Sequence, residues 1–209
     1  MLPEFVTGIL VGTLGNLSSD AVKGGAGWLW QKVKNWKNGN QKKIFETAQS
    51  DLAARGYEKA EDCHAPSEKF VVNFVEGASL EDESDLQELW GHMLANALDP
   101  KVDKKELRVA YMNILRQMTS ADARLLNEFR KTSALNIDDY KRKHGLSDES
   151  FGVSLANLVR LGCITQVMDL LPYEVGTGFS HRTVALPVPT NKYARTFLGT
   201  SFLKACSPR

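Results

Sequence analysis

Side chains capable of chemistry are spread thinly along this chain. A metal site needs several Cys, His or carboxylate ligands at workable spacing. Cys63-His64, His92, His144, Cys163 and His181 instead stand apart, without an HxxxH, HExxH or paired CxxC pattern. Nucleophilic catalysis needs a Ser or Cys with a base in hydrogen-bond reach, and there is neither a GxSxG elbow nor a Cys–His protease pattern. Gly24-Gly25-Ala26-Gly27 shares only glycine content with phosphate-cradling loops; the Gly-Lys-Ser/Thr ending and the G-x-G-x-x-G spacing are both missing. Asp82, Glu83, Asp85 and Glu88 could supply an acid and a base. They crowd the start of a helical pattern, however, where the helix dipole and solvation account for them. The expectation is a non-enzymatic protein with no catalytic residue, no metal and no cofactor.

Two cationic sets are better candidates for binding. In the first, Trp28, Trp30, Lys32, Lys34, Trp36 and Lys37 lie on a segment where Val22, Ala26, Leu29, Val33 and Trp36 step by four and three, one apolar helix stripe. Tryptophan favours the head-group zone of a bilayer and lysine meets anionic lipid, so this is the pattern of an interfacial binder. A surface helix laying its Trp/Leu face on the body would look the same, and both readings stay open. In the second set, Lys141, Arg142 and Lys143 form a short run that could touch a nucleic-acid backbone, with Arg160 further along. A DNA-reading helix over Ser147–Leu161 would need dense basic side chains, because phosphate contacts dominate affinity. Only Arg160 is basic there, and Asp148 and Glu149 occupy the end that would meet bases. Protein–protein use of this region is therefore preferred over DNA binding.

These candidates must be positioned by a chain of 209 residues, 43% hydrophobic and 24% charged, the composition of a folded globular protein. Its net charge of +1 hides an asymmetry: residues 1–45 hold six lysines against Glu4 and Asp20, leaving the rest net acidic. A basic front end suggests an anionic partner. Cys63, Cys163 and Cys206 are too few and too scattered for a disulfide framework and suit a reducing cytosol. The N-terminus lacks the cationic start and small-residue cleavage site of a signal peptide. Phe5–Ser19 carries no charge, yet it is shorter than the run of about 20 residues that spans a bilayer. Gly8, Gly12 and Gly15 place small residues on one face, compatible with a buried core helix or with a membrane-inserting or self-associating one.

Periodicity then predicts mostly helix. Residues 41–62 carry Ile44, Phe45, Ala48 and Leu52 at helical spacing, with Gly56 as C-cap. Phe70–Val75 is too short to separate strand from helix, and helix is preferred because another follows at once. Ser79–Pro100 reads as one capped helix: Ser79 as N-cap with Asp82 three residues on, Leu86, Leu89, Trp90, Met93, Leu94 and Ala97 as its stripe, Pro100 as its stop. Lys104–Gln117 continues the bundle. Further helices are expected over Ala121–Lys131 with Ser120 as cap, Ile137–His144 ending at Gly145, and Asp148–Leu161 capped by Ser147 and ended by Gly162. Cys163–Met168 and Thr183–Val188 read as a strand pair, and a last helix is expected to be capped by Thr190. The fold class is mainly α: a bundle-like N-terminal and middle region, then a winged-helix-like unit of helices and a small hairpin. The expected segments are 1–43, rich in Gly, Trp and Lys; 44–117, helical; and 118–209, winged-helix-like.

Four stretches carry a resemblance: Ser79–Pro100, Met118–Leu126, Ser154–Gly162 and Thr196–Cys206. With them the chain, from about Ile44 to Cys206, resembles the abortive-infection alpha family, bacterial proteins linked by name to phage defence. The shared motifs are helix-packing patterns, so the resemblance carries over no catalytic or binding residue. It implies a defence protein whose partner is a protein, either a second copy or a defence or phage component. The anionic surface of a membrane is a further partner for the N-terminal segment, and nucleic acid is the alternative. The expected location is cytoplasmic, with peripheral membrane attachment through residues 1–43.

Overall fold

The computed structural model describes residues 6, 8–10, 42–103, 105, 107–145, 147–175 and 182–209. It is mostly helical, with one small antiparallel sheet. Contacts divide the chain into two units: residues up to Arg124 together with Ser201–Arg209, and Leu125–Thr200.

The first unit is built of α1 (Lys42–Ala54), α2 (Glu68–Ala78), α3 (Ser84–Leu98), α4 (Val109–Leu115) and the first residues of α5 (Ser120–Glu128). The end of α8 (Phe197–Ala205) completes it. Ile44, Phe45, Ala48 and Leu52 of α1 are buried, as their spacing requires. Helix α3 is covered almost all round, with Gln87, His92 and Asn96 buried among its apolar residues, which makes it the central element. Gly91 lets α1 come close: a Cβ there would lie 2.5 Å from Thr47 Cβ and 2.8 Å from the Ile44 carbonyl oxygen. The Trp90 ring meets Phe74 of α2 edge-on at 5.4 Å, and Tyr111 of α4 meets Phe202 of α8 in the same way at 6.0 Å. Of the stretch Phe5–Ser19, Val6 and Leu10 are described and fully buried, so the core reading holds at those two positions.

Several boundaries differ from expectation. Ser79 ends α2 instead of starting α3: its N–H still bonds the Val75 carbonyl and its hydroxyl donates to the Glu76 carbonyl. The α3 N-cap position is Glu83, whose N–H donates to Glu81 Oε1 at 3.1 Å. Glu83 Oε2 in turn accepts the Ser120 N–H at 2.6 Å, satisfying an orphan donor at the start of α5. The acidic run is thus structural, with Asp85 also paired to Arg124 at 3.3 Å. The cap of α5 is Thr119, not Ser120: Thr119 N–H donates to Asp122 and Asp122 N–H to the Thr119 hydroxyl, a reciprocal box. Helix α4 is shorter than the predicted 104–117.

The second unit runs through β1 (Ala134–Asn136), α6 (Ile137–His144), α7 (Asp148–Arg160), β2 (Ile164–Val175) and β3 (Arg182–Arg195), with sheet order β1-β3-β2. Asn136 caps α6 by accepting from the Asp138 and Asp139 N–H groups, and Gly145 ends it in the left-handed region at φ 60°. Gly162, at φ 71°, turns the chain from α7 into β2. Strand β1 was not anticipated. The strand pair is also longer than predicted, so Thr190 and Tyr193, expected in the last helix, lie within β3. The last helix starts at Phe197, with the Thr196 hydroxyl accepting the Gly199 N–H at 2.9 Å.

Candidate interaction surface

The predicted membrane or partner residues Trp28, Trp30, Lys32, Lys34, Trp36 and Lys37 lie outside the described residues. The predicted basic run is placed at the end of α6, where carboxylates of its own first turn accompany it. Lys141 is 3.8 Å from Asp138 and Arg142 is 3.2 Å from Asp139, while Lys143 is exposed. Arg160 holds the Asn157 side-chain oxygen at 2.7 Å. Among the described side chains of α7, Glu149, Val153, Ala156, Val159 and Arg160 are exposed, as is Gly152.

Several of the lone ligands and nucleophiles are buried or paired within the fold. His92 Nδ1 lies 2.7 Å from Asp51 Oδ2, and Asp51 is also 3.5 Å from the buried Arg55. Arg55 bonds Asp99 at 3.0 Å, and the Tyr57 hydroxyl donates to the same carboxylate at 3.2 Å. Burial pushes the Asp99 carboxyl up, but the Lys101 N–H, Arg55 and Tyr57 together outweigh it and hold the group below its usual range. This is a paired, hydrogen-bonded charge cluster joining α1 to α3. Cys163 is fully buried, and desolvation pushes its thiol up to about 11, which leaves it unreactive as a nucleophile. Burial, with Asp62 and Asp99 nearby, also raises Cys63. The His144 ring rests against Tyr140 at 4.3 Å. His181 lies outside the described residues. No group of three or more His, Cys, Asp or Glu residues placed to hold a metal occurs among the described residues. No helix among them is long and apolar enough to cross a membrane.

The expected strand pair is present as the β2–β3 hairpin, but its length and its exposed apolar side chains were not anticipated. Strand β1 pairs with β3 at Lys192, Tyr193 and Ala194, so over Met168–Val175 and Arg182–Pro189 the two strands form a two-stranded ribbon. Its apolar side chains are exposed: Leu170 at 67%, Tyr173 at 56% and Leu171 at 54%, with Met168, Val184, Leu186 and Val188. Register puts Leu171 opposite Leu186 and Tyr173 opposite Val184 on one face, and Leu170 opposite Pro187 and Met168 opposite Pro189 on the other. Both faces are therefore apolar. Contiguous exposed apolar patches of this kind are uncommon on folded proteins.

The prolines carry a second message. Pro172, Pro187 and Pro189 all fall in the same alternate set of cross-strand pairs. A ladder keeps its bonds with prolines in that set when those pairs are the non-hydrogen-bonded ones. The prolines then remove donors from the outer edges, which blocks edge-to-edge strand addition. The hairpin is arranged to present side chains rather than backbone. Its sequence signal was a continuous apolar run, Leu170-Leu171 and Val184–Val188, in place of the alternation of a half-buried strand.

The base of the ribbon is rigidly seated. The Thr196 hydroxyl donates to the Gly162 carbonyl at 2.5 Å, and the Thr196 N–H bonds the Cys163 carbonyl at 3.1 Å. Gly199 packs so closely on Cys163 that a Cβ there would lie 2.8 Å from its carbonyl carbon. These elements define a helical protein that displays an apolar β-ribbon. Its residues 39–206 match the family described as Abortive infection alpha, and the chain belongs to that family. The Trp28–Lys37 segment precedes the matched residues. No curated protein and no solved structure matches the chain significantly.

Proposed function

We propose that this protein serves in bacterial anti-phage defence of the abortive-infection type, without catalysis of its own, by docking a protein partner onto the β2–β3 hairpin. Family membership supports the defence role. The observation that carries the docking role is the exposure of Leu170, Leu171, Tyr173 and Leu186 on a ribbon whose prolines share one alternate set of cross-strand pairs. The exposed side chains favour an apolar cleft on a protein as the occupant: those on both faces are aliphatic or aromatic, whereas the charges of the two strands, Asp169 and Glu174 on β2 and Arg182, Lys192 and Arg195 on β3, nearly cancel. The N-terminal Trp/Lys segment is, in this reading, a separate effector that acts at an anionic membrane or by self-association, with a cytoplasmic and peripheral location for the whole.

The test is a phage challenge of cells carrying the wild type, a ribbon variant Leu170→Ser/Leu171→Asn/Tyr173→Ser, and a chain without residues 1–43. The ribbon variant is expected to fold, by circular dichroism, and to lose protection. A folded ribbon variant that protects as well as wild type refutes the docking role. Loss of protection on deleting residues 1–43, together with loss of vesicle co-sedimentation in Trp28/Trp30/Trp36→Ala, is expected for the effector role.

The order helix, strand, helix, helix, strand, strand over α5 to β3, with β3 between β1 and β2, supports reading the second unit as winged-helix-like. That order favours a second reading, a nucleic-acid-binding regulator using Lys141, Arg142, Lys143 and Arg160. Salt-sensitive DNA binding lost on Lys141/Arg142/Lys143→Ala would establish it.

A further inference from the structure

The two faces of the β2–β3 ribbon are not equivalent. One carries Leu171 opposite Leu186, Tyr173 opposite Val184, and Val188 opposite Asp169; the other carries Met168, Leu170 and Ala185 with Pro172, Pro187 and Pro189. The first face is the richer in large exposed apolar groups. Among its described side chains Asp169 is the one charge. Proline has no N–H to offer an added strand, so the three prolines disfavour pairing along an edge and leave a face as the contact.

An apolar patch exposed at all times is an aggregation liability at all times. A component that arrives only with infection would leave it bare until then, whereas a second copy is present wherever the chain is. Packed face to face, two ribbons make a two-layer sandwich with its layers about 10 Å apart. Charge then selects the direction. With the ribbons antiparallel about a two-fold axis crossing the strands between the Leu171–Leu186 and Tyr173–Val184 pairs, the two Asp169 residues stand about 20 Å apart along the strands, beyond the screening length of about 8 Å. With the ribbons parallel, the same carboxylates would face each other across the apolar layer, where like charges repel.

We propose that the occupant of the hairpin is a second copy of this chain, with the Leu171–Leu186 and Tyr173–Val184 pairs of each copy stacked on those of the other about that axis. This rests on the reading of the hairpin as a docking surface and names what docks there. From the Met168–Pro189 pair to the Val175–Arg182 pair the ribbon is eight pairs long. That length makes each face about 27 Å by 10 Å, roughly 270 Å² in projection. A standard interface covers about 800 Å² per partner, so this pair belongs to the weak, reversible class, with dissociation in the micromolar range. An isologous contact also closes on itself and stops at two copies.

The test is sedimentation velocity of the full chain from low to high micromolar concentration. Leu171→Ser/Leu186→Ser, on the stacked face, is compared with Met168→Ser/Leu170→Ser, which removes exposed apolar groups from the opposite face; circular dichroism checks that both fold. The expected result is a reversible monomer–dimer equilibrium, weakened about tenfold or more by the first variant and little by the second, since burial of a leucine is worth about a factor of ten or more. Asp169→Asn is expected to change it little, and marked tightening by that variant would overturn the antiparallel arrangement. A chain that stays monomeric throughout, self-association unchanged in Leu171→Ser/Leu186→Ser, or equal loss in both folded face variants overturns the second copy as occupant. The docking reading itself is decided separately, by whether the ribbon variant loses protection in the phage challenge.

Discussion

The helical first unit and the ribbon of the second treat apolar side chains in opposite ways. In the first, Trp90, Phe74, Leu94 and Leu98 are sealed, and even polar Asn96 and Asp99 are buried with partners. In the ribbon, Leu170, Leu171 and Tyr173 face solvent on strands that need no further core. The first arrangement is what stability selects, because buried apolar area is the main favourable term in folding. The second gains nothing for the folded monomer. The difference supports the docking proposal, since surface that does not stabilise the chain is free to serve a partner.

The comparison breaks first at the ribbon's base if its seating is not as tight as the geometry says. Gly199→Ala drives a Cβ into the Cys163 backbone, and backbone cannot move aside as a side-chain tip can. The expected loss is about 3 kcal/mol or more, in the range of severe overpacking. Chemical denaturation followed by amide exchange should show β2 and β3 losing protection. Wild-type stability in this variant would mean that α8 and the strand start are free to separate.

The buried charge cluster of the first unit gives the next effect, and its sign is fixed by the direction of the Asp99 shift. The folded-state carboxyl lies below its ordinary value of about 4. Its contribution is therefore fully present above that value and is lost as pH falls through the lowered one. Glu83, whose carboxylate is held low mainly by hydrogen bonds from Ser120, acts in the same direction. Asp99→Ala leaves Arg55 buried without this partner and is expected to cost about 3–5 kcal/mol at neutral pH. In acid the gap between Asp99→Ala and wild type should narrow. A gap independent of pH down to strong acid would show that Asp99 titrates normally.

The helical frame was largely legible because its signals are local. Asn136 and Gly145 bracket α6, and Gly162 stops α7, each for a backbone reason that a sequence displays. Ser79 misled because two helices nearly abut: a serine followed by acids is as good an end to α2 as a start to α3. Strand β1 is three residues long, too short for any period, and exists through its pairing with β3. The expected strands stopped at Met168 and Val188, short of Pro172 and Pro189, although alternate pairing accommodates prolines in this ladder.

The smallest expected change sharpens the comparison most. Leu170→Ser/Leu171→Asn/Tyr173→Ser removes three large apolar groups, yet each is more than half exposed and supports no core. Surface substitutions of this kind stay within about 0.5 kcal/mol each. Thermal unfolding should therefore move little, and aggregation at high concentration should fall as the patch shrinks. Leu94→Ser in α3, chemically the same kind of change, removes a fully buried side chain and is expected to cost about 3 kcal/mol or more. A ribbon variant as damaging as the core one would mean that those side chains already have an intramolecular partner, and the hairpin would then be structure rather than a docking surface.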